Sequence, residues 1–325
     1  MLRGKRDSGL IVPSTMKVYW LDREGNPAPH NAEFRCLSFN GLNPFRGLGV
    51  QVDSLPEPKA ARVLKRTFLP EKREWVASVK TALAKNLRKV VLARMEILEL
   101  AEAPDPFALT AALKERASGA YLFCLAEGDT AFLGASPERL FSRSQNILHT
   151  EAVAGTVPRG KNPEEDAQLG EALLKSEKAL REILPIQAFF QAALPSPLSF
   201  SPISLHKTQN VQHLYMRCSA SLPKNLSDSE ILSRLHPTPA LCGTPTDKAF
   251  SLISELEPFE RGLYGGALGW STPTASEWIV GIRSCLIKGK RAYLYTGAGI
   301  VDGSDPEEEW EELNHKRRLY DGVFV

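Results

Sequence analysis

Short turns join neighbouring strand-like segments of this sequence, and this local pairing limits the folds that it can adopt. Residues 120–126 and 131–135 are apolar and flank the turn sequence Glu127-Gly-Asp-Thr130, a pattern typical of a β-hairpin. Residues 278–287 and 291–296 flank a Lys-Gly-Lys turn in the same way. Because parallel strands need crossover connections of about a dozen residues or more, such short turns favour antiparallel sheets.

Helical segments lie between these strands, so the predicted fold class is α+β. Asn162, Pro163 and Glu165 form a typical helix start, and apolar residues at helical spacing continue the pattern until Pro185. Further helices are predicted around residues 57–87, 106–116, 227–235 and 245–257, and residues 89–100 form another predicted strand.

Composition and charge exclude several classes of protein. The chain has 325 residues, of which 43% are hydrophobic and 24% charged, and this is enough apolar material for a large core. The formal net charge of +2, without a basic stripe interleaved with aromatic residues, argues against binding to nucleic acid. No apolar run is long enough to cross a membrane, and residues 9–13 are too short for a signal-peptide core. The five cysteines include no CxxC pair, so we expect reduced thiols in a soluble, cytoplasmic protein.

The run from Tyr295 to Lys316 places a glycine turn directly before a segment rich in carboxylates. Gly297 and Gly299 have no β-carbon, so their backbone N–H groups can approach a carboxylate or phosphate closely. Asp305 is a typical N-cap for the helix that follows it. The run therefore predicts an anion site followed by a helix.

Three residues of that helix, Glu309, Glu312 and Lys316, share one face by their spacing. Two aligned carboxylates suit Mg²⁺, which takes one or two protein carboxylates and keeps water or ligand oxygens for the rest. The same pattern is typical of a solvated helix whose acidic first turn is favoured by the helix dipole. The helix by itself does not decide between these interpretations.

Two other residues are candidates for an acid or a base. Lys89 begins a largely apolar strand-like segment, where burial of its amine would lower the pKa. Glu138 follows Gly134-Ala-Ser-Pro at the end of a predicted strand, at the rim of the sheet. The plain alternatives are a lysine that extends its amine to water and a glutamate that caps a short helix.

Three further segments allow two interpretations each. Residues 150–160 pass a small-residue turn, which either admits a ligand close to the backbone or forms a bulged strand. Lys178 and Glu182 are one helical turn apart, so they either belong to a site or form a simple ion pair. His236 lies in a proline-rich segment, residues 235–245, where a single histidine is more often structural than catalytic.

The joint order of these segments resembles the chorismate-utilising enzymes, whose members include anthranilate, aminodeoxychorismate, isochorismate and salicylate synthases. Each block would be weak by itself, whereas their occurrence in one order between residues 89 and 316 is specific. The blocks are Lys89-Val-Val-Leu-Ala-Arg94, Gly134-Ala-Ser-Pro-Glu138, Ala154-Gly-Thr156 with Pro158-Arg-Gly160, Leu235-His-Pro-Thr-Pro-Ala240, Arg261-Gly-Leu-Tyr264 with Gly269-Trp270, Ile282-Arg-Ser284 and the run from Tyr295 to Lys316.

The resemblance implies a fold and a domain organisation. The implied fold is two intertwined α/β halves with antiparallel sheets, packed around a buried active site that holds Mg²⁺. Residues 57–325 are expected to form the chorismate-binding catalytic domain, after a loop-rich N-terminal segment, residues 1–56, that is shorter than in relatives. Chorismate is the implied small-molecule partner, and we expect a monomer with no obligatory protein partner.

Two positions favour the isochorismate synthases within the family. Ala154 stands where relatives that form a covalent lysine adduct carry lysine, and the segment from His236 to Gly243 resembles the isochorismate form. The implied reaction is the Mg²⁺-dependent conversion of chorismate to isochorismate, for menaquinone or siderophore synthesis. Salicylate synthase, which also expels pyruvate, is the first alternative. An anthranilate- or aminodeoxychorismate-type synthase and a catalytically silent chorismate-binding protein are weaker ones.

The resemblance also implies a role for each site residue. Lys89 is the base that activates water, and Glu138 is the acid that protonates the leaving hydroxyl. The implied metal ligands are Glu182 and Glu312, with Glu309 beside them, and the implied substrate-binding residues are Gly155, Thr156, His236, Arg283, Tyr295, Gly297, Gly299 and Lys316. Two departures concern the surroundings of the metal, because relatives commonly have glutamate and histidine where this chain has Ala179 and Ile183.

Overall fold

The computed structural model describes residues 16–41, 49–208 and 211–325, and the backbone of residues 45–46. In chain order, the strands are β1 (Lys17–Leu21), β2 (Glu33–Leu37), β3 (Phe45–Arg46), β4 (Val50–Gln51), β5 (Val63–Leu69), β6 (Lys89–Leu100), β7 (Tyr121–Glu127), β8 (Thr130–Ser136), β9 (Arg139–Ser144), β10 (Ile147–Pro158), β11 (Leu198–Phe200), β12 (Ser204–Lys207), β13 (Val211–Ser221), β14 (Gly243–Thr244), β15 (Ala267–Ser271), β16 (Ala275–Val280), β17 (Ser284–Lys288) and β18 (Arg291–Ile300). The helices are α1 (Lys72–Ala84), α2 (Pro106–Lys114), α3 (Pro163–Lys175), α4 (Glu177–Ala193), α5 (Asp228–Leu235), α6 (Thr246–Leu256) and α7 (Pro306–Arg317), and a 3₁₀ helix, Arg318–Tyr320, follows α7.

Within the described residues, the strands form two sheets of nine strands each. The first sheet has the order β14-β6-β18-β17-β8-β7-β1-β4, and β5 also pairs with β6. The second has the order β11-β13-β10-β9-β16-β15-β2-β3, and β12 also pairs with β13. Apart from the parallel pair β1–β4, the described strand pairs are antiparallel. The predicted antiparallel α+β fold is confirmed, and the predicted hairpin over residues 120–135 is β7–β8. The second predicted hairpin is right only from Ser284 onwards, as β17–β18, because residues 275–280 form β16 of the other sheet and the predicted strand over residues 278–287 is interrupted between them.

The chain passes back and forth between the two sheets, so the two halves are intertwined. It contributes β1 to the first sheet, β2 and β3 to the second, and then β4–β8 to the first and β9–β13 to the second. The sheets pack against each other through a cluster that includes Trp20, Phe34, Phe123 and Ile279. Full burial of side chains of this kind contributes roughly 1.5–3 kcal/mol each, so this contact stabilises the pairing of the halves.

The helices α4 and α7 are fixed against the sheets by the largest apolar cluster. Its members include Ile183 on α4 and Trp310 on α7, together with Leu92 on β6 and Trp75 on α1. Trp75 and Trp310 have ring centroids 6.4 Å apart, so α1 packs directly against α7. Both helices that carry predicted metal ligands are therefore held in place by apolar packing on their other faces.

The predicted helix over residues 57–87 is wrong in its first half. Residues 63–69 form β5, which pairs with β6, and the helix begins only at Lys72, with Glu71 as its N-cap. Pro70 lies between these elements, and a proline in a helix interior removes a backbone hydrogen bond and clashes with the preceding turn. The extended chain before Pro70 instead satisfies the hydrogen-bonding groups of β6.

The predicted single helix from Asn162 to Pro185 is two helices. The Ser176 hydroxyl accepts a hydrogen bond from the Ala179 N–H, so α3 ends and α4 begins at this serine. Pro185 does not end the helix, since it lies inside α4. The apolar spacing runs through both helices, and it therefore concealed a break that a serine cap produces.

Residues 16–56 contain two five-residue strands that sequence analysis did not identify. β1 pairs with β7 in the first sheet, and β2 pairs with β15 in the second. This part of the N-terminal segment is thus joined to both sheets, while the boundary at residue 56 stays a prediction.

The five cysteines are free thiols and are buried, in line with the expected reduced state. In the part of the chain that the structure describes, none of the helices has the length and apolar character needed to span a bilayer.

Candidate active site

A cavity of about 100 Å³ lies where β6, β18 and β10 meet α4 and α7. Most of the side chains and glycines that the sequence singled out line it. These are Lys89, Glu138, Gly155, Thr156, Glu182, Arg283, Tyr295, Gly297, Gly299, Glu312 and Lys316. Two predicted residues, Glu309 and His236, are not part of the lining. The structure thus brings together residues that lie up to 227 positions apart in the sequence.

Lys89 is the first residue of β6 and is only 3% exposed. Its strand is flanked there by β14, in which Thr244 pairs with Lys89. Burial lowers the pKa of the Lys89 amine, and the nearby carboxylates of Glu182 and Glu138 offset only part of this effect. A lysine in such surroundings holds its proton less tightly than a lysine in water, as a base requires.

Glu138 lies in the short connection between β8 and β9 and is 7% exposed. Its backbone is held on both sides, because its N–H donates to the Ser136 hydroxyl at 3.2 Å and its carbonyl accepts from Val280 N–H at 3.1 Å. Burial, followed by the negative charge of Glu151, raises the pKa of Glu138 to about 8. At neutral pH this carboxyl group therefore holds a proton that it can donate.

Glu182 on α4 and Glu312 on α7 face the cavity from opposite helices. Burial has the largest effect on Glu182 and raises its pKa. The charge of Lys89 opposes this shift, and the charge of Glu312 adds to it by a smaller amount. Burial also acts on Glu312, but the Lys316 ammonium, at 2.5 Å from its carboxylate, outweighs it and holds the pKa below its usual value. Two carboxylates that line one cavity, one of which makes ionisation of the other less favourable, are a setting in which a bound cation is favourable.

Glu309 lies behind this pair and not at the cavity surface. Its carboxylate is 2% exposed and contacts the Lys178 ammonium at 2.8 Å, which links α7 to α4. Lys178 therefore does not form the simple ion pair with Glu182 that the sequence also allowed, because it bonds across to the other helix. Burial, and then the charge of Glu312, raises the pKa of Glu309.

A β-bulge places Gly155 and Thr156 on the cavity wall. The register of β10 against β13 shifts between Ala154 and Thr156, and Gly155 has φ +63°, a left-handed conformation that favours glycine. The Gly155 N–H donates to Glu182 at 3.4 Å. The small-residue turn is thus both a bulged strand and a lining of the cavity, so the two interpretations of residues 150–160 do not exclude each other.

The amides of Gly297 and Gly299 face away from β6. In the β6–β18 register they lie opposite Ala93 and Val91, whose N–H groups bond elsewhere, to Glu257 and to the Cys242 carbonyl. The Gly297 carbonyl accepts from Lys316 at 2.8 Å on the same outward side. Because the N–H and C=O of one residue in an antiparallel strand point the same way, both amides are directed towards the cavity.

Gly299 also allows Lys89 and Glu182 to approach β18. A β-carbon at this position would lie 2.9 Å from the Lys89 Cε atom and 3.5 Å from a carboxylate oxygen of Glu182. Any larger residue would displace the lysine, so the glycine is required by this close approach.

Arg283 has a left-handed backbone, with φ +50°, which is uncommon for a residue other than glycine. Its carbonyl accepts hydrogen bonds from the Tyr320 hydroxyl at 2.8 Å and from the Ala135 N–H at 3.0 Å, and these contacts hold the conformation. No hydrogen bond or ion pair of its guanidinium occurs among the described contacts, although the side chain lines the cavity. Backbone strain of this kind persists where the surroundings impose it, and it clusters at functional sites.

His236 lies outside this cavity. Its Nε2 atom is 3.1 Å from the Ser38 carbonyl and 3.2 Å from that of Phe39, and it lines a separate, larger cavity beside Phe250. The proline-rich segment reaches the active site through its other end, where Leu241 lines the cavity and Gly243 pairs with Val90. The structure therefore does not place His236 with the other predicted substrate-binding residues.

Sequence reasoning missed His213, which lies on β13 and is 4% exposed. Its Nδ1 atom is 3.0 Å from the Thr156 hydroxyl, and its Nε2 atom has no partner among the described groups. Burial, and then the charges of Arg283 and Lys316, lowers its pKa to about 3, so the ring is neutral at pH 7. Nothing in the local sequence distinguishes this histidine from an ordinary strand residue.

Tyr264 also lines the cavity without having been assigned a role. Its ring stacks on Tyr295, with centroids 5.1 Å apart and an interplanar angle of 14°. The sequence did contain a signal for it, because Tyr264 ends one of the blocks that carry the resemblance. The two tyrosines form one wall of the site.

A family model described as chorismate binding enzyme matches residues 47–319. Isochorismate synthase MenF from Haemophilus influenzae is 38% identical over 283 residues, which cover 86% of this chain and 64% of that relative. The chain thus spans slightly less than two thirds of the length of this relative.

Solved structures give the same grouping. The structure of MenF from Escherichia coli, described as the menaquinone-specific isochorismate synthase, matches with a TM-score of 0.84 at 28% identity, covering 95% of this chain and 88% of that chain. Anthranilate synthase component I from Streptococcus pneumoniae matches with a TM-score of 0.71 at 25% identity, covering 82% of this chain and 60% of that one. Since the family match extends over most of the sequence and includes the residues around the cavity, the chain belongs to the chorismate binding enzyme family.

Proposed function

We propose that this chain converts chorismate to isochorismate, with water adding at C2 of the ring while the C4 hydroxyl leaves. The observation that carries the proposal is the pair of Lys89 and Glu138, which line one cavity. Burial lowers the pKa of Lys89 and raises that of Glu138 to about 8. A lysine with a lowered pKa gives up its proton more readily and is better suited to act as a base, and a protonated carboxyl can donate a proton, so the pair supplies the base and the acid that this exchange requires.

The proposed step is balanced in atoms and charge. The Lys89 amine takes a proton from water as the water oxygen bonds to C2, the ring double bonds shift, and the C4–O bond breaks. Glu138 gives its proton to the departing hydroxyl, which leaves as water. The proton on Lys89 is then returned through solvent to Glu138, so one water enters and one leaves, and the product is an isomer of the substrate.

We assign four groups to the binding of the two carboxylates of chorismate. The Arg283 guanidinium offers a bidentate fork, and the amides of Gly297 and Gly299 face the cavity. Lys316 adds an ammonium group that is already anchored by Glu312 and by the Gly297 carbonyl. These groups supply hydrogen-bond donors and two positive charges, which is what a dianionic ligand needs.

The proposal includes Mg²⁺ bound by Glu182 and Glu312. Among the described residues, no group of three or more acidic, histidine or cysteine side chains is arranged to hold a metal alone, but Mg²⁺ commonly takes one or two carboxylates and completes its shell with water and ligand oxygens. The half-buried carboxylates of Glu182 and Glu312, which line the cavity from two helices, support this choice. When bound, the ion supplies positive charge beside a substrate carboxylate. Glu309, neutralised in part by Lys178, supports the arrangement from behind.

Incubation of the purified protein with chorismate, with and without MgCl₂, followed by separation of the products, tests the proposal. We expect isochorismate as the product, formed only when Mg²⁺ is present. The Lys89→Ala variant should be inactive, whereas Lys85→Ala, which removes an exposed lysine just before the same strand, should retain activity. Unchanged chorismate at high protein concentration would refute the proposal.

The lyase alternative makes a different prediction in the same assay. A salicylate synthase would release salicylate and pyruvate, and an ammonia-using synthase would need added ammonia to form its product. The relative from Haemophilus influenzae is named an isochorismate synthase, so isochorismate without pyruvate is the outcome that we favour.

A further inference from the structure

Glu138, the proposed acid, is held by an ion pair that none of the sequence motifs identified. Arg23 lies in the turn after β1, ahead of residue 47 where the family match begins. Its guanidinium bonds to the carboxylate of Glu151 on β10, with one contact from Nη1 to Oε2 at 3.0 Å and a second from Nη2 to Oε1. The two side chains are 12% and 1% exposed, so the pair is buried.

This pair contacts the backbone on both sides of Glu138. The Arg23 Nη2 atom donates to the carbonyl oxygen of Pro137, the residue before Glu138. The Glu151 Oε1 atom accepts from the N–H of Arg139, the residue after it, at 2.8 Å. The peptide groups that flank the acid are thus bonded to one buried unit.

The unit is itself fixed by neighbouring elements. Tyr215 on β13 donates its hydroxyl to the Oε2 atom of Glu151 at 2.8 Å. The Arg23 guanidinium lies 4.9 Å from the centre of the Tyr121 ring, on β7 of the other sheet. Arg23 and Glu151 therefore connect the two sheets at the position where Glu138 enters the cavity, and neither of them lines it.

We infer that the Arg23–Glu151 ion pair is a positioning unit for Glu138, so that the N-terminal segment takes part in building the active site. The inference rests on the proposed function, because it assumes that Glu138 is the acid. A displacement of about 1 Å in a reacting group can reduce a rate by ~100-fold. The position of Glu138 is sensitive to such a displacement, because Glu138 reaches the cavity from a two-residue connection between strands.

The Arg23–Glu151 pair also acts on Glu138 through its charges, which change the pKa of the Glu138 carboxyl. The groups that face the Glu138 carboxyl are Lys89 from β6, Glu151 from β10, Arg23 from the turn after β1, Lys316 from α7 and Tyr264 from the loop before β15. Among them, Glu151 is the one that favours the protonated acid. The backbone contacts set the position of the acid, and the carboxylate of Glu151 helps it to keep its proton.

The test compares steady-state kinetics of Arg23→Gln and Glu151→Gln with those of the native chain. We expect kcat to fall ~10- to 100-fold in each variant while KM for chorismate stays within about 2-fold, because substrate-binding groups are untouched. The matched control is Arg143→Gln. It breaks a similarly buried ion pair, between Arg143 on β9 and Asp228 on α5, that does not contact Glu138. A merely structural role for the Arg23–Glu151 pair predicts that all three variants lose thermal stability and retain kcat.

The pH dependence of kcat gives a readout that a structural role would not move. Removal of the Glu151 charge should shift the alkaline limb, where Glu138 loses its proton, to lower pH in Glu151→Gln and leave it unchanged in Arg143→Gln. Should Arg23→Gln fail to fold, Arg23→Lys serves instead, since one ammonium group cannot reproduce both contacts of the guanidinium fork.

The proposed function and the positioning role of the Arg23–Glu151 pair can be rejected separately. A native chain that leaves chorismate unchanged would reject the proposed function. Turnover by the native chain, loss of turnover in Glu138→Gln, and native kcat with a native alkaline limb in the Arg23 and Glu151 variants would overturn only the positioning role.

Discussion

Glu138 lines the cavity together with Glu182 on α4 and Glu312 on α7, while Glu309 on α7 lies behind them, and these glutamates have different partners. On the α7 side, lysines contact two of the carboxylates directly, Lys316 at Glu312 and Lys178 at Glu309. On the Glu138 side, the Arg23 guanidinium is bonded to Glu151 and to a backbone carbonyl, and not to the Glu138 carboxyl. The pKa of Glu138 accordingly rises to about 8, whereas that of Glu312 falls below its usual value.

The difference shows that burial alone does not assign a role to a carboxylate. Burial raises the pKa of both Glu138 and Glu312, and the outcome depends on which carboxylate an ammonium group touches. A carboxylate that stays ionised can bind a cation, and a carboxyl that stays protonated can act as an acid. Because their charge partners differ, two chemically identical side chains in one cavity have pKa values that are shifted in opposite directions.

The largest expected effect comes from removing the acid. Glu138→Gln keeps the shape of the side chain but cannot donate a proton, so kcat should fall by ~10²- to 10⁴-fold with little change in KM. Glu96→Gln is the matched control, because Glu96 is also a buried glutamate, 2% exposed on β6, and does not line the cavity. Steady-state assays with chorismate give both numbers. Near-native turnover in Glu138→Gln would show that the two sides of the cavity do not differ in the proposed way.

A smaller effect is expected from the opposite side of the cavity. Glu312→Gln removes a proposed metal ligand, and we expect Mg²⁺ affinity to fall by at least ~10-fold, as measured by titration calorimetry with MgCl₂. Glu311→Gln changes an exposed neighbour on the same helix and should leave the affinity unchanged. Equal affinities in the two variants would contradict the assignment of Glu312. Glu138→Gln is expected to bind Mg²⁺ normally, which separates the acid side from the metal side.

The smallest effect is on stability. The pKa of Glu138 is about 8 in the folded protein, above the usual glutamate value of 4.5, so the folded state binds this proton more tightly than the unfolded state. The resulting stability is fully present below about pH 4.5 and is lost as the pH rises through about 8, at roughly 1.4 kcal/mol per pH unit at most. Glu138→Gln lacks this titration.

Thermal unfolding at several pH values therefore provides the measurement. The Tm of Glu138→Gln should exceed that of the native chain by a few degrees at pH 9 and approach it at pH 5. Parallel curves for the two proteins would mean that Glu138 is not held protonated by burial. The Glu312→Gln variant is not expected to gain stability at high pH, because the pKa of Glu312 is shifted the other way.

Local patterns predicted the parts of the fold that depend on neighbouring residues. The hairpin at residues 120–135 is present, the hairpin predicted at residues 278–296 is present from Ser284 onwards, and Asp305 accepts hydrogen bonds from the N–H groups of Glu307 and Glu308 as the N-cap of α7. Turns and helix caps depend on residues only a few positions apart, so a local sequence pattern is enough to predict them. The prediction failed at residues 57–71 and at Ser176, where pairing with β6 and a serine cap outweighed helical spacing.

The order of the sequence blocks likewise predicted most of the cavity lining, from Lys89 to Lys316. It did not predict that His236 lies outside or that His213 lies inside. Alternation along a strand indicates which side chains share a face, but the element that covers this face is set by packing elsewhere.

The sequence by itself determined the family, the antiparallel class of the fold and the identity of the acid and base candidates. Only the tertiary structure decided which cation contacts which carboxylate: Lys178 bonds to Glu309, 131 positions away, and Arg23 to Glu151, 128 positions away. The physical reason is that an ion pair depends on distance in space, and two intertwined sheets bring these charges together from segments that no local pattern connects.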